Sequence, residues 1–377
     1  MSNKIALISP HDEPNHGTML QAYALARAIE YLGFKAEYVS YKRNNQKNIF
    51  EKLLYYSIRP IKIIRWLQTK LKKNPFDDYS FFQTIEFQRT MQEFEKFYQE
   101  KIPHSAIVYS SQTIKNIEGY TKYIVGSDQT WSPFLYTSHS INFLDFVKNN
   151  SLKNAYAPSL GTTNIPKWFQ KILQEKLSDF ANLSCREKTN CKLIEDVTGK
   201  KVMHVIDPTL LITPMQWDTL LQSIEMPEKY VLCYILGEKK CISDFAEMLG
   251  ANKNIPVYYI VTRPIYLQKK NNLKGIGPSQ FIFLIKHATY VVTDSFHGSL
   301  FSINYNRNFY CFTKRNDISK NNDNDRIINM LNDFELTQRF KTDNDMCLEE
   351  DISFDTINTI IASKRKESYT YLKRIVK

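Results

Sequence analysis

Lys4-Ile5-Ala6-Leu7-Ile8, then Asn15-His16-Gly17-Thr18, then Leu20, Tyr23, Ala24, Ala28, Tyr31 and Leu32 up to Gly33, then Ala36-Glu37-Tyr38-Val39-Ser40-Tyr41: this opening stretch decides the fold. The apolar run at 4–8 predicts a buried strand. The apolar positions between 17 and 33 repeat at the helical period, and Gly33 stands where a helix stop is wanted. Residues 36–41 read as the next strand. Strand, helix and strand in about 35 residues make a βαβ unit, which predicts a parallel sheet with right-handed crossover.

The alternation continues outward from there. Residues 123–128 and 154–157 read as strands, 166–180 as a helix, and 201–205 as a strand that stops at Asp207-Pro208-Thr209. A second series follows: strands at 230–236, 257–261, 290–293 and 308–312, helices at 241–250, 280–287, 299–305, 326–333 and 354–375. The expectation is α/β, two Rossmann-like domains at 1–207 and 208–377, the C-terminal helix packing back on the first. Ligands of such folds bind outside the carboxyl ends of the strands, here in the cleft between domains.

Composition agrees with a globular chain: 377 residues, 43% hydrophobic and 24% charged. Four apolar residues near the start are too few for a signal-peptide core, and no run reaches the ~20 needed to span a bilayer, so a cytoplasmic protein is expected. Six cysteines form no C-x-x-C pair and no zinc pattern with histidine, so reduced thiols and no metal are expected. The net charge of +11 suits nucleic acid, anionic lipid or small anions. No nucleic-acid motif accompanies it, and that partner is set aside.

Residues 42–122 break the pattern and read as a helical insertion. Its first part is basic: Lys42, Arg43, Lys47, Lys52, Arg59, Lys62, Arg65, Lys70, Lys72 and Lys73 face only Glu51 before Asp77, with Ile, Leu and Trp66 interleaved. Two accounts stand, a packed excursion with a solvated face or a membrane-surface patch.

Three polar clusters follow strands. Asn15-His16-Gly17-Thr18 opens a helix, whose unpaired N–H groups suit an anion or a sugar hydroxyl, or whose Asn and Thr simply cap it. Gly126-Ser127-Asp128-Gln129-Thr130-Trp131 offers hydroxyl-binding groups and, in Trp131, either a ring to stack on a sugar or a core side chain. Asp294-Ser295-Phe296-His297-Gly298 places a histidine able to act as acid or base at a strand end. Arg186 and Arg326 are candidate anion clamps, or members of ordinary ion pairs.

These clusters, with Ala155-Tyr156-Ala157-Pro158-Ser159-Leu160-Gly161, Ser184-Cys185-Arg186-Glu187, Asp207-Pro208-Thr209-Leu210-Leu211, Gly277-Pro278 with Phe281, and Arg326, resemble in order the motifs of polysaccharide pyruvyl transferases. The resemblance implies a GT-B-like fold. It also implies transfer of pyruvate from phosphoenolpyruvate to a sugar of a bacterial surface polysaccharide, or of its lipid-linked precursor, as a ketal. Phosphoenolpyruvate is then a co-substrate and no further cofactor is implied. His297 and Asp128 stand as catalytic candidates. Arg186, Arg326, Asp294, Ser295 and Gly298 are candidates on the donor side, and Asn15, Gly17, Thr18, Ser127, Gln129 and Trp131 on the acceptor side. One departure stands out: where the family carries Arg-Leu-His, this chain has Ser295-Phe296-His297. One donor-binding cation is therefore missing or supplied from elsewhere, with Arg326, Arg263 and Lys314 the candidates. A glycosyltransferase using a nucleotide sugar and a non-catalytic glycan-assembly subunit remain the alternatives.

The basic segment generates a test. If 42–73 lies on an anionic inner-membrane surface, each basic residue contributes roughly 1 kcal/mol, screened by salt. The protein should then sediment with anionic vesicles at low salt, much less with neutral ones, and be released at high salt. Protein that stays in the supernatant with anionic vesicles at low salt makes 42–73 structure alone.

Overall fold

A computed structural model describes residues 4–42, 84–133, 140–313 and 324–377. The basic segment at 43–73 lies outside the described residues. In the first half come β1 (Lys4–Ile8), α1 (His16–Tyr31), β2 (Lys35–Tyr38), α2 (Ile85–Lys101), β3 (Lys122–Val125), β4 (Lys153–Ala155), α3 (Lys167–Leu177), β5 (Leu183–Cys185), α4 (Lys188–Thr198) and β6 (Val202–His204). Strands β2-β1-β3-β4 form one parallel sheet. Bonds from Ala155 N to Asn182 O (3.1 Å) and Ala181 N to Lys153 O (2.8 Å) carry it on to the parallel pair β5-β6.

Part of the insertion expected at 42–122 lies outside the described residues, and the described part holds the helix α2. Tyr38 N donates to Pro103 O (2.7 Å) and Ser105 N to Tyr38 O (2.8 Å), with parallel bridges at His104 and Tyr109. Residues 84–109 therefore also supply an outer edge to the same sheet, which the expected helical insertion did not include. Pro103 and the irregular pairing hid that edge, since proline cannot donate to a ladder.

The second half contains α5 (Pro208–Leu211), α6 (Pro214–Trp217), β7 (Val231–Tyr234), α7 (Lys240–Lys253), β8 (Val257–Ile260), β9 (Asn272–Leu273), α8 (Pro278–His287), β10 (Tyr290–Thr293), α9 (Phe296–Asn304), β11 (Asn308–Phe312), α10 (Asn324–Asp333), β12 (Phe340–Lys341) and α11 (Phe354–Val376). Its sheet runs β12-β11-β10-β7-β8-β9, all parallel. That is the Rossmann order, and the order reverses between β7 and β10. In the first half it reverses between β1 and β3. These two switch points are where a doubly wound sheet opens a crevice.

Helix α1 joins the halves. Thirteen of its residues are buried, far more than one amphipathic face accounts for. One side packs on the first sheet. The other meets the second half in a single apolar cluster with Trp217, Phe281, Phe301 and Ile375. The alanines at 22, 24, 26 and 28 keep this helix slim enough for both contacts. Helix α11 ties back as well: Ile206 N donates to Ser368 Oγ (3.0 Å) and Tyr371 OH to Ala155 O (2.9 Å). Among the described residues no helix is long and apolar enough to cross a membrane.

His16, the first residue of α1, reaches into the second half. Its Nε2 donates to Ile276 O (2.9 Å), Tyr234 OH donates to Nδ1 (3.2 Å), and the ring stacks on Phe281 at 4.7 Å. Burial pushes this imidazole down to about 4 from its ordinary 6.5, against the opposing pull of the Ile276 carbonyl. Between those values the unfolded chain binds a proton that the folded one refuses. Stability present above pH 6.5 is therefore lost as the pH falls towards 4, by about 3 kcal/mol in all. Urea unfolding of the wild type should show this loss, and His16→Gln should flatten it over the same window. Equal pH slopes in the two proteins would refute the assignment.

Candidate active site

The two switch points face one another across a cavity of about 220 Å³. The first half lines it with Pro10, Glu13, Asn15, Thr18, Asp128 and Gln129, and the second mainly with Asp294, Ser295, Phe296, His297 and Arg326. Helices α1 and α9 both start here. Asn15 caps the first, its side chain accepting from Thr18 N at 3.1 Å, and Ser295 caps the second, accepting from Gly298 N at 3.3 Å. Each helix points unpaired N–H groups and a positive dipole end at the cavity.

His297 lies on Gly17. A Cβ added at Gly17 would stand 2.1 Å from His297 Nδ1 and 2.5 Å from Cγ, so only glycine admits the ring. Asp128 sits beside them with φ of 73°. Thr18 Oγ1 donates to its Oδ2 (2.9 Å) and Gln129 N to its Oδ1 (2.9 Å). Burial opposes its ionisation, but the neighbouring His297, Arg186 and Arg326 and the Thr18 bond outweigh burial and hold its pKa below the ordinary value. It is an anion in the cavity wall.

Arg326 enters from α10. That helix is fastened to the first half along its length: Thr163 N donates to Asp325 (3.0 Å), Thr189 Oγ1 to Asn329 (3.1 Å), and His204 pairs with Asp333 (3.1 Å). With its amide oxygen turned towards the guanidinium, Gln129 accepts from both terminal nitrogens of Arg326, at 2.9 and 3.2 Å. Gln129 thus positions a cation.

Several expected site residues prove to be framework. Trp131 is buried beneath the cavity, between Phe143 and Phe180, and its indole donates to Asn142 O (3.2 Å). It cannot stack on a sugar. Its truncation would cost folding energy of about 3–5 kcal/mol. Ser127 is buried and donates to Asp207 (3.0 Å). Arg186 does not line the large cavity. Its Nε donates to Glu187 (2.9 Å), its Nη1 to Asp207 (2.8 Å), and it stacks on Phe296 at 4.2 Å. Two carboxylates neutralise it, and its Nη2 is buried without a hydrogen-bond partner among the described residues. Asp294 accepts from Leu236 N (2.6 Å) and Gly237 N (2.8 Å), stitching β7 to β10 at the switch point. Gly298 is there for packing, since a Cβ would meet Thr293 Oγ1 at 2.7 Å. Of the substitute cations, Arg326 lines the cavity, Arg263 Nε donates to Leu236 O (3.1 Å), and Lys314 lies outside the described residues.

Asp207 was missed as a site residue, although it stands in a quoted motif. Its signal was a carboxylate at a strand end followed by proline: it caps α5 through Thr209 N at 3.0 Å, and its other oxygen lies 3.6 Å from His297 Nε2. Glu13, which lines the cavity, carried no motif signal.

Two doubly wound parallel sheets, with a cavity shared by their switch points, define a GT-B-like two-domain α/β protein. The chain belongs to the polysaccharide pyruvyl transferase family, whose model matches residues 15–314. A comparison with curated proteins found no match. Among solved structures it is similar to a putative UDP-N-acetylglucosamine 2-epimerase from Listeria monocytogenes, at 10% identity over 97% of this chain and 96% of that one, TM-score 0.48. A glycosyltransferase from Rickettsia africae matches at 9% identity over 100% and 93%, TM-score 0.45. MurG from Acinetobacter baumannii matches at 7% over 99% and 98%, TM-score 0.38.

The Gly17 contact is open to test. Gly17→Ala should leave the protein folded but displace the His297 ring, read as a changed imidazole ¹⁵N shift assigned against His297→Gln. An unchanged shift would show that the ring does not rest on Gly17.

Proposed function

We propose that this chain transfers the pyruvyl group of phosphoenolpyruvate to two hydroxyls of a sugar, in a bacterial surface polysaccharide or its lipid-linked precursor. Family membership supports polysaccharide modification. The finer reading rests on one observation: His297, the ionised Asp128 and the positioned Arg326 converge from both halves on one small cavity.

The reaction sets the roles. The methylene carbon of the donor gains a proton, the neighbouring carbon is attacked by one hydroxyl, phosphate leaves, and the second hydroxyl closes the ketal. One hydroxyl proton ends on the methyl group and the other on phosphate. His297 delivers the proton to the methylene carbon. Asp128 accepts a proton from the attacking hydroxyl. Arg326 holds the donor's carboxylate or phosphate in place of the arginine absent before Phe296. The α1 and α9 N-termini add positive potential for the anionic donor.

Thermal shift separates the readings. Phosphoenolpyruvate at 100 times its dissociation constant should add ~2.7 kcal/mol of stability, and Arg326→Ala should abolish the gain. Stabilisation by nucleotide sugars instead would favour a glycosyltransferase. With a glycan acceptor, His297→Gln should lower turnover ~10²-fold or more. A soluble variant with normal turnover would remove His297 from the mechanism and leave a glycan-assembly subunit as the better reading.

A further inference from the structure

Asp207 lines no part of the large cavity, yet its carboxylate faces the proposed catalytic histidine from the other half of the molecule. Its Oδ1 accepts from Thr209 N (3.0 Å) and Thr209 Oγ1 (2.7 Å), and its Oδ2 from Ser127 Oγ (3.0 Å) and Arg186 Nη1 (2.8 Å). Donors thus surround a group that is almost fully buried. Burial alone would raise this carboxyl. The facing His297, the Arg186 guanidinium and the Thr209 N–H outweigh it and hold Asp207 far below the ordinary carboxylate range. It is an acceptor-only anion.

His297 Nε2 stands 3.6 Å from Oδ2, is buried, and has no hydrogen-bond partner. A lone pair on Nε2 would face a carboxylate lone pair across a dry gap, which is repulsive. A proton on Nε2 turns the same contact into attraction, and a shift of a few tenths of an ångström closes it to a charge-assisted bond. Nδ1 lies on the opposite edge of the ring, over Gly17 and the start of α1.

We infer that Asp207 is the positioning residue of His297: it holds the Nε2 proton, fixes the tautomer and ring plane, and leaves Nδ1 as the nitrogen that exchanges protons. Asp207 touches no substrate. Arg186 then has a role different from the expected anion clamp, as the cation that keeps Asp207 ionised. Phe296, which lines the cavity, packs its ring against the Arg186 guanidinium at 4.2 Å. A buried carboxylate behind a histidine sets proton placement in the same way in hydrolase triads. Only the use made of Nδ1 rests on the pyruvyl-transfer reading. The position of the Nε2 proton does not.

The test is nuclear magnetic resonance of the ¹⁵N-histidine-labelled full chain, His297 being assigned by the spectrum of His297→Gln. A resolved, downfield Nε2–H proton in slow exchange with water is expected. A free imidazole N–H exchanges too fast to be seen, so an absent signal, or an Nδ1–H tautomer, overturns the inference. In Asp207→Asn the signal should be lost, and its retention would count equally against the assignment. The amide of that variant meets a donor in either orientation and can weaken folding, which the wild-type spectrum does not depend on. If the variant folds, turnover should fall ~10²-fold or more with KM for phosphoenolpyruvate nearly unchanged. A protein that shows the Nε2–H signal but never transfers pyruvate would refute the proposed function and leave the Asp207–His297 pair standing.

Discussion

The approach of His297 to the bare Cα of Gly17 is the contact on which the geometry of the site depends. It brings the first turns of α1 and α9 together, and with them the two switch points. A methyl group there would push the ring away and open the seam between the halves. Beneath this contact the seam is apolar, running from Tyr23 through Trp217 to Phe301 with ring centroids 5.5 and 5.1 Å apart. The cavity sits at the polar end of that seam. Its walls are strand ends and helix starts, held by the core of both halves rather than by loops alone, the kind of rigid support a positioned site needs.

Buried charge is the second constraint. Arg186, Glu187 and Asp207 are all nearly inaccessible. Taking such groups from water costs several kcal/mol each, and only close pairing with full hydrogen bonding offsets it. Pairing here is extensive: Ser159 Oγ and Asn190 Nδ2 donate to Glu187 (2.8 and 3.1 Å), while Ser127 and Thr209 donate to Asp207. Polar residues that read as separate motifs along the chain are therefore one network at the carboxyl ends of β3, β4, β5 and β6. An apolar replacement could be as stable, but it would have nothing with which to face His297 Nε2.

Much of the fold was legible because the strands are buried on both faces and the helices keep a clear period. Thus 4–8, 290–293 and 308–312 read correctly as strands, and Gly33 as a stop. The outer edge at 103–109 was not legible, because its pairing with β2 is intermittent and proline interrupts it. His297, Asp128, Thr18 and Gln129 line the cavity because polar residues that follow a strand at a helix start in a doubly wound sheet have one place to go; Arg326, from α10, was singled out by its side-chain chemistry and the family resemblance. What the spacing could not show was direction. Trp131 follows Asp128 by three residues, yet the left-handed backbone at Asp128 turns the chain so that the indole enters the core beside Phe180. Arg186 was read as an anion clamp or a member of an ion pair, and sequence alone could not reveal that Asp207 and Glu187 meet it. Asp207 itself read only as the place where a strand stops; in the structure it caps α5, and capping uses only one of its oxygens.

The two walls of the cavity differ in charge, and this bears on how two substrates could share so small a space. Among the described residues the first half contributes Glu13 and Asp128 and no cation, while the second contributes Arg326 and His297. Asp294, also in the second wall, has both oxygens engaged by backbone N–H groups, which draw off much of its field. An anion is thus favoured on the α9 and α10 side over the α1 side, where Glu13 and Asp128 oppose the helix dipole and carboxylates and amides match neutral hydroxyls. At 4 Å, a unit charge pair is worth about 4 kcal/mol at an effective dielectric near 20, enough to set the orientation of a small anion. His297 lies at the boundary, with Asp128 on one side and Asp207 behind. In the proposed reaction a proton passing between an anionic donor and a neutral acceptor crosses at that boundary, which His297 lines among the described residues.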